Sequence, residues 1–201
     1  MHRITRLILA ALLALSSYAS AATVWQFSLD TSSLAGSEGY LDFQFNPASA
    51  SAPAFDAVLS DFVMGSGMSL SGAATVDGDV GGALPGDLVF ANSTPFNAVL
   101  QPVVFGGEFS LTIAFSGDPA AMALGDGSLF TLGLLDADFA NLLSGNIDTP
   151  VLSFDLLPGN GLTVTALNGT VTAVPEADRF SMMLAGLAMV MWIVQRRRAW
   201  R

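Results

Sequence analysis

The sequence contains no cysteine and no lysine, and its only histidine, His2, lies at the extreme N-terminus. Without cysteine there can be no disulfides, thiolate nucleophiles or thiolate metal sites, so a folded body must be held together by burial of apolar side chains. Between residues 22 and 174 the chain has no His, Cys, Lys or Arg. This absence excludes Ser-His-Asp and Cys-His catalysis, Schiff-base lysines, histidine zinc sites and arginine clamps for phosphate in that part of the chain.

Basic charge is confined to the two ends of the chain. The segment from residue 22 to residue 174 carries 15 Asp and Glu side chains and no basic one. Binding to nucleic acid depends on Lys and Arg that neutralise phosphates, so nucleic acid is excluded as a partner. A body with this charge stays soluble and attracts cations.

The first 21 residues have the order of a secretory signal peptide. Two arginines precede the apolar run Leu7–Leu15, and small residues follow it, ending in Ala19, Ser20 and Ala21. Nine apolar residues are too few to span about 30 Å of hydrocarbon, so we expect a short signal helix that is removed, not a retained anchor. Signal peptidase would cleave after Ala21, with Ala19 and Ala21 in its small pockets.

A second apolar run, at residues 180–194, lies near the C-terminus and is followed by three consecutive arginines. Fifteen helical residues at about 1.5 Å each cover roughly 22 Å, which predicts a short transmembrane helix that needs local thinning or snorkelling arginines. The arginines should stay on the cytoplasmic side, which leaves the body outside the cytoplasm.

This C-terminal segment carries a three-part motif: Val-Pro-Glu at its start, Leu-Ala-Gly-Leu within the apolar run, and the arginines at its basic end, residues 196–201. The arrangement resembles the PEP-CTERM sorting domain over residues 174–201, with Ala177 where that family usually has a second proline. The sorting signal would comprise Val174, Pro175, Glu176, Arg196, Arg197 and Arg198.

The resemblance implies recognition by an exosortase, a membrane-embedded cysteine peptidase or transpeptidase. It also implies release or transfer of the protein to the cell surface or the extracellular polysaccharide matrix. Residues 24–47 further resemble the start of a group of such exported proteins that has no assigned activity. The resemblance therefore predicts a destination and supplies no catalytic site.

The body, residues 22–173, has the short alternating apolar pattern of strands separated by glycine-rich and proline-rich turns. In residues 40–45, Leu41, Phe43 and Phe45 are predicted to face one way, and residues 109–115 alternate in the same manner. We expect an all-β, antiparallel β-sandwich or jelly-roll-like body, with a helix or loop at residues 136–143. Strands are predicted at residues 23–29, 40–45, 55–64, 68–76, 109–115, 128–135, 151–156 and 162–171.

Carboxylates are the only strong chemical groups left in the body. Asp77 with Asp79, and Asp136 with Asp138, place acids two residues apart in loops, where hard oxygen donors suit calcium. The alternative is that these are solvated turn aspartates that bond to their own backbone. No other cofactor is predicted.

Three functions remain open. The leading hypothesis is a non-catalytic surface or matrix protein that is exported, anchored briefly in the inner membrane, processed by an exosortase-like peptidase and linked to exopolysaccharide. The first alternative is a carbohydrate-binding module, with or without calcium, in which Trp25 or Tyr40 would stack on sugar rings; a strand position makes core packing the expected role of Trp25. The second is a carboxylate-only glycosidase, although nothing in the sequence marks a catalytic acid pair.

Overall fold

The computed structural model of the protein describes residues 23–143 and 149–174. The signal peptide predicted at residues 1–21, the apolar run at 180–194 and the basic end lie outside these residues, as does the sorting motif apart from Val174. Residues 23–143 and 149–174 include no helix with the length and apolar composition that a membrane span requires.

The described chain is all-β, with two short 3-10 turns, and its strands form two antiparallel sheets. The first sheet has the order β13-β1-β9-β3-β7-β6, and the second has the order β12-β11-β10-β2-β8-β4, with β5 also pairing with β8. The predicted all-β class is confirmed. The strands are β1 Thr23–Asp30, β2 Glu38–Pro47, β3 Asp56–Met64, β4 Ser69–Leu70, β5 Thr75–Asp77, β6 Val80–Gly82, β7 Leu88–Ala91, β8 Ala98–Val104, β9 Glu108–Phe115, β10 Ser128–Leu135, β11 Leu152–Leu157, β12 Gly161–Ala166 and β13 Thr170–Ala173.

Alternating side chains decide which face of each sheet is buried. In β2, Leu41, Phe43 and Phe45 are fully buried, whereas Tyr40 and the other residues between them are only partly covered. Strand β9 alternates in the same way over its whole length. Because side chains on a strand point alternately to opposite faces, β2 and β9 each deliver one apolar face to the core and one largely polar face to the outside.

Phenylalanine rings fill the space between the two sheets. Phe115 on β9 of the first sheet lies 6.0 Å from Phe130 on β10 and 5.1 Å from Phe154 on β11 of the second, measured between ring centroids. Phe90 on β7 meets Phe130 edge-on at 6.2 Å. These tilted and edge-to-face arrangements are the favourable ones for aromatic pairs, and they join the sheets without any disulfide.

Two predicted strands are each divided in the structure. Residues 68–76 form β4 and β5, which pair separately with β8. Residues 162–171 are interrupted at Asn168, whose φ of 58° places it in the left-handed region that Asn and Gly tolerate. The two halves, β12 and β13, join different sheets, so this turn carries the chain from one sheet to the other.

Three strands, β6, β7 and β8, were not predicted. Strand β8 lacks polar alternation because Gln101 faces inward at 3% exposure, and its amide nitrogen donates to the carbonyl oxygens of Gly72 and Pro102. Gly81 and Gly82, a pair that is typical of turns, lie in β6. Residues 136–143 contain turns and one isolated bridge, so the loop alternative is correct and the helix is wrong.

Candidate functional site

The first predicted acid pair lies at the turn between β5 and β6. Asp77 and Asp79 are both exposed, and the Oδ2 atom of Asp79 accepts a hydrogen bond from the Ser93 hydroxyl at 2.6 Å. The backbone N–H of Asp79 donates to Oδ1 of the buried Asn97 at 2.9 Å. These contacts fix the turn against the start of β8.

The second pair follows β10. One oxygen of Asp136 accepts hydrogen bonds from the backbone N–H groups of Asp138 and Ala140, each at 2.9 Å. This is the local backbone bonding that favours Asp in turns. The side chain of Asp136 therefore shapes the loop that carries Phe139, while Asp138 is exposed.

The structure does not bring the two pairs together. Asp77 pairs with Ala98 of β8, which in turn pairs with Gln44 of β2, so Asp77 lies at the level of Gln44. Leu135, which precedes the second pair, is paired with Tyr40 of β2. Strand geometry puts these two levels about 13 Å apart. In residues 23–143 and 149–174, no group of three or more His, Cys, Asp or Glu side chains is placed to hold a metal ion. Calcium binding at either pair stays a prediction.

Trp25 packs against the core, as expected for its strand position. Its ring lies 5.7 Å from Phe154 across the two sheets, and its Nε1 atom is buried with no hydrogen-bond partner among the described residues. The tryptophan is therefore not presented for stacking on a sugar ring.

The outer face of the second sheet carries a row of connected polar side chains along β2. Asp42, Gln44 and Asn46 occupy alternate outward positions there and are joined side chain to side chain. The Gln44 Nε2 atom donates to Asp42 at 2.7 Å, and the Asn46 Nδ2 atom donates to the Gln44 carbonyl oxygen at 3.2 Å. This series of carboxylate and amide groups is called the β2 ladder below.

A cavity of about 320 Å³ lies over one end of the β2 ladder. Its floor is open because Gly133 on β10 stands directly opposite Asp42. A methyl group placed on Gly133 would lie 3.4 Å from the Asn141 Oδ1 atom and 3.7 Å from Asp42 Cβ, which is ordinary contact. The cavity is lined by Asp42, Gln44, Thr131, Gly133, Leu135, Phe139, Asn141 and Pro150.

Two aromatic rings stand at the rim of this cavity. Tyr40 and Phe139 are stacked, with 5.3 Å between ring centroids and 12° between their planes. Phe139 is 54% exposed, and its φ of 62° is unusual for a bulky residue. The loop holds it there through hydrogen bonds between the backbones of Asp136 and Phe139, and of Asp136 and Ala140. The outcome is a flat apolar surface beside the polar β2 ladder.

Burial raises the pKa of Asp42 above its ordinary value near 3.8, and the hydrogen bond from Gln44 offsets part of that rise. The pKa values of Asp30 and Asp126 move the other way, because serine hydroxyls bond to these exposed carboxylates. The described residues include 14 Asp and Glu side chains and no Lys, Arg or His, so the potential around the cavity is negative.

Replacing Asp42 with asparagine should therefore stabilise the protein near neutral pH. Because the pKa of Asp42 is raised in the folded state, its ionised carboxylate destabilises the folded protein at pH values above that pKa. This penalty disappears as the pH falls below the ordinary pKa near 3.8. Asparagine keeps an oxygen that accepts from Gln44. We expect a higher Tm for Asp42→Asn near neutral pH and convergence with wild type in acid, measured by circular dichroism across pH.

The matched control is Asp126→Asn, since Asp126 is exposed and its pKa is lowered by the Ser49 and Ser51 hydroxyls. A carboxyl group whose pKa is lowered by folding stabilises the folded protein at pH values above its unfolded pKa, and this stabilisation is lost as the pH falls. Asp126→Asn should therefore be less stable than wild type near neutral pH. An Asp42→Asn protein less stable than wild type near neutral pH would contradict the burial argument.

A second cavity, of about 310 Å³, adjoins the first on the same outer face. It begins at Asn46 and Leu129, which are paired across β2 and β10 one outward position beyond Gln44 and Thr131. Asp155 and Leu157 of β11 line its other side.

The largest of these cavities, about 560 Å³, lies elsewhere, between loops at residues 47–54 and 92–95. Its walls are mainly Ala, Pro and Ser, and its one amide, Asn92, is committed to the fold. The Asn92 side chain accepts from the Phe55 backbone and donates to the Pro53 carbonyl and the Ser128 hydroxyl. The one amide in this cavity therefore holds the two loops together.

The alternation predicted for residues 40–45 is confirmed, because Asp42 and Gln44 lie on the face opposite the buried side chains. The sequence predicted no role in a site for either residue. The stacking of Tyr40 on Phe139 was missed, because 98 residues separate them in the chain and only the turn around Asp136 brings them together.

Comparison with protein-family models finds no match, and comparisons with curated proteins and with solved structures find none either.

Proposed function

We propose that this chain is an exported, non-catalytic protein of the cell surface or extracellular matrix whose body binds a neutral polysaccharide. The observation that carries the proposal is the β2 ladder beside the stacked rings of Tyr40 and Phe139. In ligand sites, precisely placed polar groups fix the orientation of the ligand and aromatic side chains supply apolar contact, and this face offers both.

The chemistry of the face suits a sugar chain. The Gln44 amide can donate hydrogen bonds to sugar hydroxyls and accept from them, and the Asp42 carboxylate can accept from them. The exposed ring of Phe139 offers a flat apolar surface to the C–H face of a pyranose. An anionic glycan would be repelled by the negative body, which has no described cation to pair with it. A neutral glycan meets no such cost.

The placement of acids supports a binding role over hydrolysis. Asp42 and Asp155 are the carboxylates that line the two adjoining cavities. Their pairing partners on β10, Gly133 and Leu129, are four residues apart, about 13 Å along the strand. Glycosidases place their two carboxyl groups roughly 5 to 9.5 Å apart, so these two do not form such a pair.

Export is supported by the sequence of both ends. Signal peptidase would remove residues 1–21, an exosortase-like peptidase would act in the region of Val174, Pro175 and Glu176, and the body would reach the surface or the exopolysaccharide. The passage of the chain back and forth between the two sheets supports a jelly-roll-like sandwich for that body. Intact mass spectrometry of the protein from its host should find both end segments removed; recovery of the uncut chain from the cytosol would contradict export.

Affinity electrophoresis of the purified full-length chain tests the binding role. Gels containing a panel of neutral polysaccharides (β-glucan, dextran, galactomannan) are compared with gels containing anionic alginate or xanthan. We expect retardation by at least one neutral polymer and none by the anionic ones. Migration unaffected by every neutral polymer, or retardation by anionic polymers alone, would overturn the proposal.

A further inference from the structure

The two cavities on the outer face of the second sheet lie end to end along one strand pair. The first contains Gln44 and Thr131, which are level with each other, and the second starts at the next outward level, Asn46 and Leu129. Successive outward positions on a strand are about 6.8 Å apart, so the levels from Tyr40 to Asn46 extend over roughly 20 Å. We call these two successive depressions together the β2–β10 groove.

The character of the β2–β10 groove changes along its length. Stacked rings stand at the end near Tyr40, carboxylate and amide groups occupy the middle, and the apolar side chains of Leu129 and Leu157 flank the far end. Leu129 is 45% exposed although it lies on a central pair of strands. Apolar contacts at both ends with hydrogen-bonding groups between them match a chain whose units each present a ring face and a set of hydroxyls.

Polar side chains also extend sideways across the sheet from the middle of the β2–β10 groove. At the level of Gln44, the outward residues across three further strands are Thr131, Ser153 and Thr165, all with hydroxyl side chains. A ligand lying along the groove would therefore have hydrogen-bonding groups beside it without meeting a wall that closes the depression. Recognition of a chain terminus needs an enclosed pocket, and both cavities are instead open depressions on the sheet surface.

We infer that the β2–β10 groove holds an internal segment of an extended neutral glycan chain, with contacts distributed over the whole distance from Tyr40 to Leu129. This inference rests on the proposed function and adds the form of the ligand: a chain several sugars long, recognised without its ends.

Isothermal titration of the full-length protein with oligosaccharides of increasing length, prepared from the polysaccharide that binds, tests this inference. We expect affinity to rise at least about tenfold from the disaccharide to the length that fills the groove and then to level off. Oligosaccharides whose reducing end has been converted to the alditol should bind equally well. Equal affinity for the disaccharide and the hexasaccharide, or loss of binding on reduction of the chain end, would overturn the extended groove while leaving sugar binding intact.

The variant Leu129→Ala locates the far end of the groove. It should weaken binding of the long oligosaccharides several-fold and weaken binding of the disaccharide less. Leu124→Ala is the matched control, because Leu124 is 79% exposed and lines neither cavity. Equal effects of the two variants on long oligosaccharides would contradict the inference, and absence of any glycan binding by wild type would overturn both the inference and the proposed function.

Discussion

Replacement of Phe130 with alanine is expected to lower the free energy of unfolding by about 3–5 kcal/mol. Phe130 is fully buried, and its ring contacts four other rings, with centroid distances between 6.0 and 6.4 Å. Those rings come from both sheets, so the deletion leaves a cavity at the point where the sheets meet. Domains of this kind are stable by only about 5–15 kcal/mol, so the variant should lie close to the limit of folding.

The measurement is urea denaturation followed by circular dichroism, with thermal unfolding alongside. A loss of this size corresponds to a fall in Tm of roughly 6–20 °C for a domain of about 150 residues. Phe96→Ala is the control, since it deletes the same ring from a side chain that is 50% exposed, and it should cost about 1 kcal/mol or less. Equal costs for the two variants would mean that the phenylalanine cluster does not join the sheets.

Replacement of Gly133 with valine is expected to reduce the affinity for a neutral polysaccharide at least about tenfold and to leave the fold intact. The backbone of Gly133 is strand-like, and a Cβ added there meets its neighbours at ordinary contact distances of 3.4 to 3.7 Å. Valine suits strands, so stability should be retained. Its methyl groups would occupy the space opposite Asp42 that a sugar would otherwise fill.

The matched control for this variant is Ala114→Val, which adds bulk at an outward position of β9 on the opposite sheet. It should retain full polysaccharide affinity, and both variants should keep a Tm close to that of wild type. Affinity electrophoresis gives the binding comparison, and circular dichroism confirms folding. A folded Gly133→Val protein with unchanged affinity would place the sugar site elsewhere.

The fold class could be predicted from the sequence because the alternation of apolar and polar residues along a strand indicates which side chains are buried. Strands β2 and β9 pair a polar outer face with an apolar inner face, and their orientations were predicted correctly. Strand β8 was missed because the inward Gln101 breaks the apolar pattern, and one of the two backbone carbonyls that compensate its burial belongs to the distant Gly72. The division of residues 162–171 depends on a single left-handed Asn168, a conformation that the sequence allows without requiring it.

The candidate site was harder to predict because it depends on strand register. Nothing local to Asp42 indicates that a glycine, Gly133, stands opposite it 91 residues later in the chain. The acids that the sequence predicted as candidate calcium ligands, such as Asp136, mainly stabilise turns. One of those turns nevertheless positions Phe139 against Tyr40, so the sequence contained the parts of the site but not their arrangement.

The most direct test of the account is an NMR titration of the isotope-labelled protein with the neutral polysaccharide, or oligosaccharides made from it, that binds most tightly. The account predicts that the amide signals of Asp42, Thr131 and Phe139 shift most, while those of Ser60 and Thr112 on the outer face of the first sheet stay in place. Shifts confined to the first sheet, or no shift with any glycan of the panel, would contradict it.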